Sequence, residues 1–292
     1  MPTKRRFEFV PVLSLLVSAT LWGVIWYPLR LLENQGMEGL WLVLCTYGAA
    51  TFIGMLIIVL RRCRFEPSWT LLFLAIASGW CNTAFILAVL EGNVVRVILL
   101  FYLSPLWTVV LGMLVLDERL SRYSWLTLVS AMCGALIMLW DPAIGLPWPG
   151  DVSDWLAISS GIAFALSNVL VRKMQQVTVE VKAVSTWGGV FMVAGLLLLV
   201  VPRPWVDVDI NVLFYALLLG ATAFVLMTLA LIYGVSHMPV HRSAVILLFE
   251  LVAGAVSAQL LTNEIVQPNE WTGGVLIIIA AWFEARRHLR TD

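Results

Sequence analysis

Residues 39–60 read GLWLVLCTYGAATFIGMLIIVL, an unbroken apolar run without a charged side chain that stops at Arg61. A hydrocarbon core about 30 Å thick is crossed by about 20 helical residues at a rise of about 1.5 Å each. This run meets that length. Within lipid every backbone N–H and C=O needs an internal partner, which only a helix or a closed barrel supplies. The alternating pattern of barrel strands is absent here and elsewhere in the chain, so the run reads as a membrane-spanning helix.

The same ruler, carried outward in both directions, finds nine further runs: 10–31, 69–90, 94–116, 122–140, 154–173, 183–201, 211–233, 240–262 and 271–285. The last is the shortest and extends back toward Gln267. The expected fold is an all-α polytopic membrane protein of ten transmembrane helices. Composition agrees, with 61% hydrophobic residues and only 12% charged ones, and a mean hydropathy of +0.94. A soluble domain carries about 25% charged residues to cover its surface. Lipid is the solvent.

The N-terminal MPTKRRFEFVPVLSLL places basic residues before an apolar stretch, as a signal peptide does. That stretch runs about 20 residues, longer than a signal core, and lacks a small-x-small cleavage site, so a retained first helix is expected. With the N-terminus cytoplasmic, 15 of the 18 Lys and Arg fall on the inner side and only Arg30, Arg96 and Arg203 on the outer. The positive-inside bias therefore predicts both termini in the cytoplasm of a bacterial inner membrane. Formal charge is balanced, 18 Lys and Arg against 18 Asp and Glu, so bulk charge offers no nucleic-acid partner. Cys45, Cys63, Cys81 and Cys133 form no CxxC pair and read as small hydrophobes rather than metal ligands or a disulfide framework. Neither metal nor cofactor is expected.

The longest connection, DPAIGLPWPGDVSD at 141–154, is the natural joint between two five-helix halves. The division is 1–141, a Pro/Gly-rich loop at 142–153, and 154–292. No stretch is long enough for a separate soluble domain, and no GxxxxGK[ST] loop occurs, which argues against ATP hydrolysis by this chain. Five plus five helices make the second half start from the opposite face, the architecture of inverted repeats. An echo of it is present. Ser18, Trp22, Trp26 and Arg30 fall on Ser160, Phe164, Asn168 and Arg172 at an offset of 142, and Arg96, Glu118 and Trp125 on Arg242, Glu264 and Trp271 at an offset of 146. VILLF at 97–101 and 245–249 recurs at an offset of 148, conflicts with the glutamate pairing, and is set aside as coincidence.

The stretch 103–121, LSPLWTVVLGMLVLDERLS, resembles the EamA family of the drug/metabolite transporter superfamily. Ser104-Pro105 and Asp117-Glu118-Arg119-Leu120-Ser121 match a Pro-containing fourth helix that ends in a Gly-Glu-Arg-Leu-like turn, with Asp117 where Gly is usual. Phe249-Glu250-Leu251 and Asn263-Glu264 match the second-half counterpart, with Leu251 where the family often has proline. Trp22-Gly23 is also family-like. The resemblance implies a ten-helix carrier around a central cavity, commonly exporting amino acids or other small metabolites by a secondary mechanism.

An ionisable group at the centre of a span costs about 2.5–3.5 kcal/mol on insertion scales, so one that persists there invites a functional reading. Glu250 is such a group, roughly 18 Å from the outer end of its span by helical rise. Arg96 lies only about 3 Å in, so a direct ion pair between the two is not expected. Trp22, Trp80, Asn82, Tyr102, Ser104, Phe164 and Asn168 lie about 12–21 Å deep by the same rise, and Trp26 shares a helix face with Trp22. Together they would line a cavity suited to a small amphipathic or cationic solute, such as the amine of an amino acid. A buried carboxylate can also change charge state near neutrality, which offers proton coupling.

Each residue has a packing alternative. Glu250 is equally readable as a protonated carboxyl bonded to a neighbouring helix, the aromatics as core, and Asn82 and Asn168 as interhelical glue. Trp41, Trp69, Trp125, Trp155, Trp205 and Trp271 lie at span ends and read as interfacial anchors. Glu118 and Glu264 read as structural groups at helix ends, and Gly188-Gly189 and Gly273-Gly274 as close-packing sites. A secondary transporter working by alternating access is the expected function. An intramembrane enzyme is disfavoured because HExxH and GxSxG are missing and His237, His241 and His288 all lie near cytoplasmic ends. A non-transporting sensor or scaffold is the other alternative.

Overall fold

The computed structural model describes residues 2–37, 39–140, 148–200, 208–263 and 265–288, the side chains of 2–8 and 288 excepted. Arg203, Trp205, Glu264, Arg290 and loop residues 142–147 lie outside the described residues. Among those described, every regular element is a helix. Nine are long and apolar enough to cross a membrane: α1 (Phe9–Glu33), α2 (Gly39–Arg61), α3 (Trp69–Glu91), α4 (Val94–Leu116), α5 (Arg122–Leu139), α6 (Val152–Lys173), α7 (Val179–Val200), α8 (Ile210–His237) and α9 (Val240–Leu261). A further helix, α10 (Pro268–His288), has 21 residues, long enough to span. Its polar ends, with Glu270, Glu284, Arg286 and Arg287, keep it outside the nine.

Polar caps fix several helix starts: the side chains of Asn93, Ser121, Asp151 and Asp209 accept from the backbone N–H of Arg96, Ser124, Asp154 and Asn211, supplying donors' partners that the helix itself cannot. α4 and α5 start where hydropathy puts them, whereas α6 and α8, capped by Asp151 and Asp209, start one or two residues earlier. The Ser153 hydroxyl and the Asp154 N–H hold the Asp151 carboxyl below its ordinary range. At α7 the early start changes a reading. Lys182, expected in a cytoplasmic loop ahead of a span at 183–201, lies within the helix and is 1% exposed. Its Nζ donates to Val171 O and Ser236 Oγ, each at 2.9 Å. These acceptors lie in the last turns of α6 and α8, where the helix dipole favours a cation. Lys182→Met keeps the buried stem and deletes both bonds. It should destabilise the protein by about 2 kcal/mol, read as a lower thermal midpoint in detergent; an unchanged midpoint would contradict this role.

Four spans are irregular. α4 divides into Val94–Phe101 and Ser104–Leu116, and Pro105 at the start of the second piece explains the break. α9 divides around Leu248 into Val240–Leu247 and Phe249–Leu261. It does so without a proline, since Leu251 occupies the family's proline position; the Leu251 N–H instead bonds Leu248 O at 3.1 Å, a tightened turn. α1 is interrupted at Ile25, and α8 carries a π-helical turn at Gly220–Phe224.

The turn after α4 explains the departure at Asp117. Asp117 has φ +54° in the left-handed region, and the Glu118 N–H reaches back to Gly112 O at 3.2 Å. That is the helix end at which glycine is favoured. An aspartate there pays for its Cβ and also sets a negative charge at a helix C-terminus. Asp117→Gly should therefore stabilise by about 0.5–1 kcal/mol, visible as a raised midpoint.

Between helices, α3 packs on α6 and α7, α1 on α8 and α9, α2 on α7 and α8, α4 on α6, and α5 on α10. Glycines set the closest approaches. A Cβ on Gly189 would lie 2.0 Å from Ala75 O, and one on Gly220 2.1 Å from Thr46 O. Gly134 and Gly273 face each other reciprocally, each Cβ position within 2.6 Å of the other's carbonyl oxygen. Of the expected close-packing pairs, Gly189 and Gly273 are therefore the members in tight contact, while Gly188 and Gly274 have room. Small residues at these crossings let backbones meet, which in lipid replaces the hydrophobic drive. Phe52, Trp69, Leu114, Leu199 and Leu260 face outward. In water such a surface would be a liability; against acyl chains it is the solvated face.

Candidate functional site

The breaks in α4 and α9 bring the deep carboxylate and the deep tyrosine together. Tyr102 caps the first piece of α4, Glu250 is the second residue of the second piece of α9, and the two side chains are near enough to interact electrostatically. α1 crosses this point because Gly23 has no side chain: a Cβ there would lie 2.6 Å from Glu250 O. Aromatic rings continue from Tyr102 to Phe101 at 5.5 Å and from Phe101 to Phe164 of α6 at 5.7 Å. Ser104 begins the second piece of α4, 3% exposed, and its carbonyl accepts from the Thr108 hydroxyl at 2.9 Å.

A second cluster gathers around the π-helical turn of α8. Its last residue, Phe224, meets Trp22 of α1 at 5.9 Å and Tyr47 of α2 at 5.0 Å, both edge-on. The Tyr47 hydroxyl donates to Asn82 Oδ1 of α3 at 2.6 Å, and Asn82 Nδ2 donates to Ser78 O at 3.0 Å. Ser78 Oγ then donates to Ser167 Oγ of α6 at 3.3 Å. A polar chain thus crosses α2, α3 and α6 inside the membrane. π-Helical turns recur at functional sites, because the extra residue re-aims a side chain.

The remaining expected residues are placed apart from these clusters. Trp26 Nε1 donates to Ser257 Oγ of α9 at 2.9 Å, and Arg30 lies over its ring at 5.7 Å. Trp80 is 43% exposed, with Nε1 on Ser159 Oγ of α6 at 3.2 Å. Asn168 is buried on α6. Arg96 pairs with the buried Asp154 at 2.8 Å and bonds the Trp148 carbonyl, consistent with its separation from Glu250.

Reading by depth missed Tyr47, Phe101 and Phe224. For Tyr47 a signal existed, since a hydroxyl within a span needs a partner. Phe101 and Phe224 depend on helix irregularities that hydropathy does not carry. An apolar recess of about 510 Å³ between α2 and α8, lined by residues including Gly48, Phe52, Phe214 and Ala221, contains none of the expected site residues. Among the described residues no group of three His, Cys, Asp or Glu side chains is placed to hold a metal ion.

Comparison with known proteins places these features in a family. The model of the EamA-like transporter family matches residues 10–140 and again 152–284. A Pseudomonas aeruginosa protein named an uncharacterized transporter is 33% identical over 114 residues, which cover 39% of this chain and 35% of that protein. Protein RarD of Escherichia coli is 41% identical over 56 residues, 19% of each chain. Protein RarD of Streptomyces exfoliatus is 25% identical over 217 residues, 71% of this chain and 65% of that one. The matches thus span from a fifth to under two thirds of these relatives' lengths. One solved crystal structure superposes with a TM-score of 0.74 at 17% identity, covering 93% of this chain and 96% of its own, a likeness of fold. Two family matches that together take in nearly all the membrane helices lead to one conclusion: this multi-pass membrane protein belongs to the EamA-like transporter family.

Proposed function

We propose that this chain is a secondary-active carrier of the bacterial inner membrane that exports amino acids or similar small metabolites. It works by alternating access around a midplane site containing Glu250, with a proton as the coupling ion. The observation that carries the reading is the meeting of two broken helices at a carboxylate: Glu250 lies beside Tyr102 where α9 and α4 are both interrupted. Interrupted helices expose backbone groups and side chains to a solute at membrane depth, which is where transporter sites form. A carboxylate there attracts a solute amine, the aromatic faces of Trp22, Tyr47 and Phe164 suit a small amphipathic body, and Asn82 supplies hydrogen bonds.

The reading takes the chain as ten spans in two inverted halves with both termini inside, and four features support that. The family model matches twice. α4 and α9 divide alike, into pieces of 8 and 13 residues each. The Ser18 hydroxyl donates to Met227 O at 2.9 Å and the Ser160 hydroxyl to Cys81 O at 2.7 Å, contacts that exchange under the offsets of 142 and 146 read from sequence. Helix neighbours exchange as well: α3 on α6 with α8 on α1, and α4 on α6 with α9 on α1, while α2–α7 and α5–α10 pair with themselves.

The test is a solute-library screen in reconstituted vesicles, with and without an imposed pH gradient. Proton-driven movement of one or more amino acids or similar metabolites is expected. No gradient-dependent movement across the library would overturn the reading.

A further inference from the structure

We propose that Glu118 is a latch that holds the cytoplasmic side of the carrier closed by capping α9 from the other half of the chain. The left-handed turn at Asp117 folds Glu118 back beneath α4. There its Oε2 accepts the Val240 N–H at 3.0 Å and lies 3.3 Å from His241 Nδ1. Val240 is the first residue of α9, and Pro239 before it makes no side-chain cap. A helix start leaves its first N–H groups without acceptors and carries a partial positive charge, so a carboxylate there is bound by both. The cap that α9 lacks locally comes from a residue 122 positions away. The other oxygen, Oε1, faces Arg172 Nε of α6 at 3.7 Å, and Arg172 donates to Ser236 O at the end of α8 at 2.6 Å. The inner ends of α6 and α9, both from the second half, meet this one side chain of the first half, and that of α8 joins them through Arg172.

The outer end of α4 is held differently. Arg96 ties it to α6 through Asp154 and the Trp148 carbonyl, and among the described residues no ion pair joins α4 to α9 there. The contact that must part for an inner opening is therefore the one Glu118 makes. This role rests on the alternating-access reading, and it differs from plain capping in one respect: release must move the opposite face as well. Glu118→Ala frees α9 from α4 on the inner side, and the outer side closes in exchange.

The experiment uses spin-label distances in lipid nanodiscs, on the full chain with its four native cysteines replaced by alanine. One label pair at Arg119 and His237 reports the inner side. A second at Glu91 and Leu261 reports the outer side; all four positions are exposed. Glu118→Ala is expected to raise the ratio of long to short inner distances about five- to ten-fold and to shift the outer pair toward short distances. Glu118→Gln keeps an acceptor for the Val240 N–H but loses the charge facing Arg172 and His241, so it falls between wild type and Glu118→Ala; it decides the matter if the alanine variant does not fold. Unchanged inner distances would overturn the latch, as would an inner increase with the outer pair unmoved, which is fraying of α9. The transport reading is scored separately on unmutated Glu118, by whether an equimolar mixture of common L-amino acids moves the two pairs in opposite senses.

Discussion

Glu250→Gln is expected to slow accumulation of solute against its gradient by about 30- to 100-fold, while leaving the protein folded. The substitution preserves volume and hydrogen-bonding capacity, so the contact with Tyr102 and the crossing of α1 at Gly23 both survive. What it removes is the group's ability to take and release a proton and to carry negative charge at the site. Loss of a charge-assisted contact to a solute amine is worth about 2–3 kcal/mol, which at about 1.4 kcal/mol per factor of ten sets the scale of the effect. If a proton is exchanged at Glu250, downhill exchange of solute persists at a reduced rate while pH-driven accumulation is lost. Measurement in vesicles, with the gradient imposed and then collapsed, separates the two. Unaltered, proton-dependent accumulation in the Gln variant would place coupling elsewhere.

Gly189→Ala is expected to destabilise the protein by about 3 kcal/mol, a large effect for one added methyl group. Its Cβ would lie 2.0 Å from Ala75 O and 2.5 Å from Ala75 C. Those are backbone atoms, which cannot rotate aside, so α3 and α7 must separate along their contact. The neighbouring Gly188 supplies the control. A Cβ there meets only the Thr51 Cγ2 at 3.9 Å, and alanine is favoured over glycine within a helix by up to about 1 kcal/mol. Gly188→Ala is therefore neutral or stabilising. Thermal unfolding of the two variants in detergent, followed by size exclusion, distinguishes them; equal midpoints would refute the packing argument.

Membrane spans were legible because their signal is collective: twenty apolar residues in a row leave no other solvent but lipid. Helix ends were less so, since a cap such as Asp151 or Asp209 is polar and hydropathy ends the helix there, although it starts one. Lys182 shows the same blindness in reverse. Its charge placed it in a loop, while the Val171 carbonyl and the Ser236 hydroxyl, each in the last turns of a helix, keep it inside. Within the site, Glu250 was legible from the cost of burying a charge. Its partner Tyr102 was expected only by depth, because the break in α9 comes without a proline. Depth alone does not say which way a side chain turns, so Trp22 and Asn82, expected in one cavity, are linked through Phe224 and Tyr47, which depth did not select. A π-helical turn shifts the register of everything after it and leaves no compositional mark. The proposed pairing of two halves has its sequence echo in Ser18 and Ser160, whose hydroxyls make interchangeable contacts.

The two-half carrier requires α10 to cross the bilayer as the partner of α5, although its polar ends set it apart from the nine more apolar helices. The direct measurement is the side on which the chain emerges after His288, read by reporters fused in turn to the N-terminus and to the C-terminus. Cytoplasmic signals from both fusions are predicted. Signals from opposite faces would leave an odd number of crossings, break the exchange of helix neighbours between the halves, and contradict the placement of Glu250 between them.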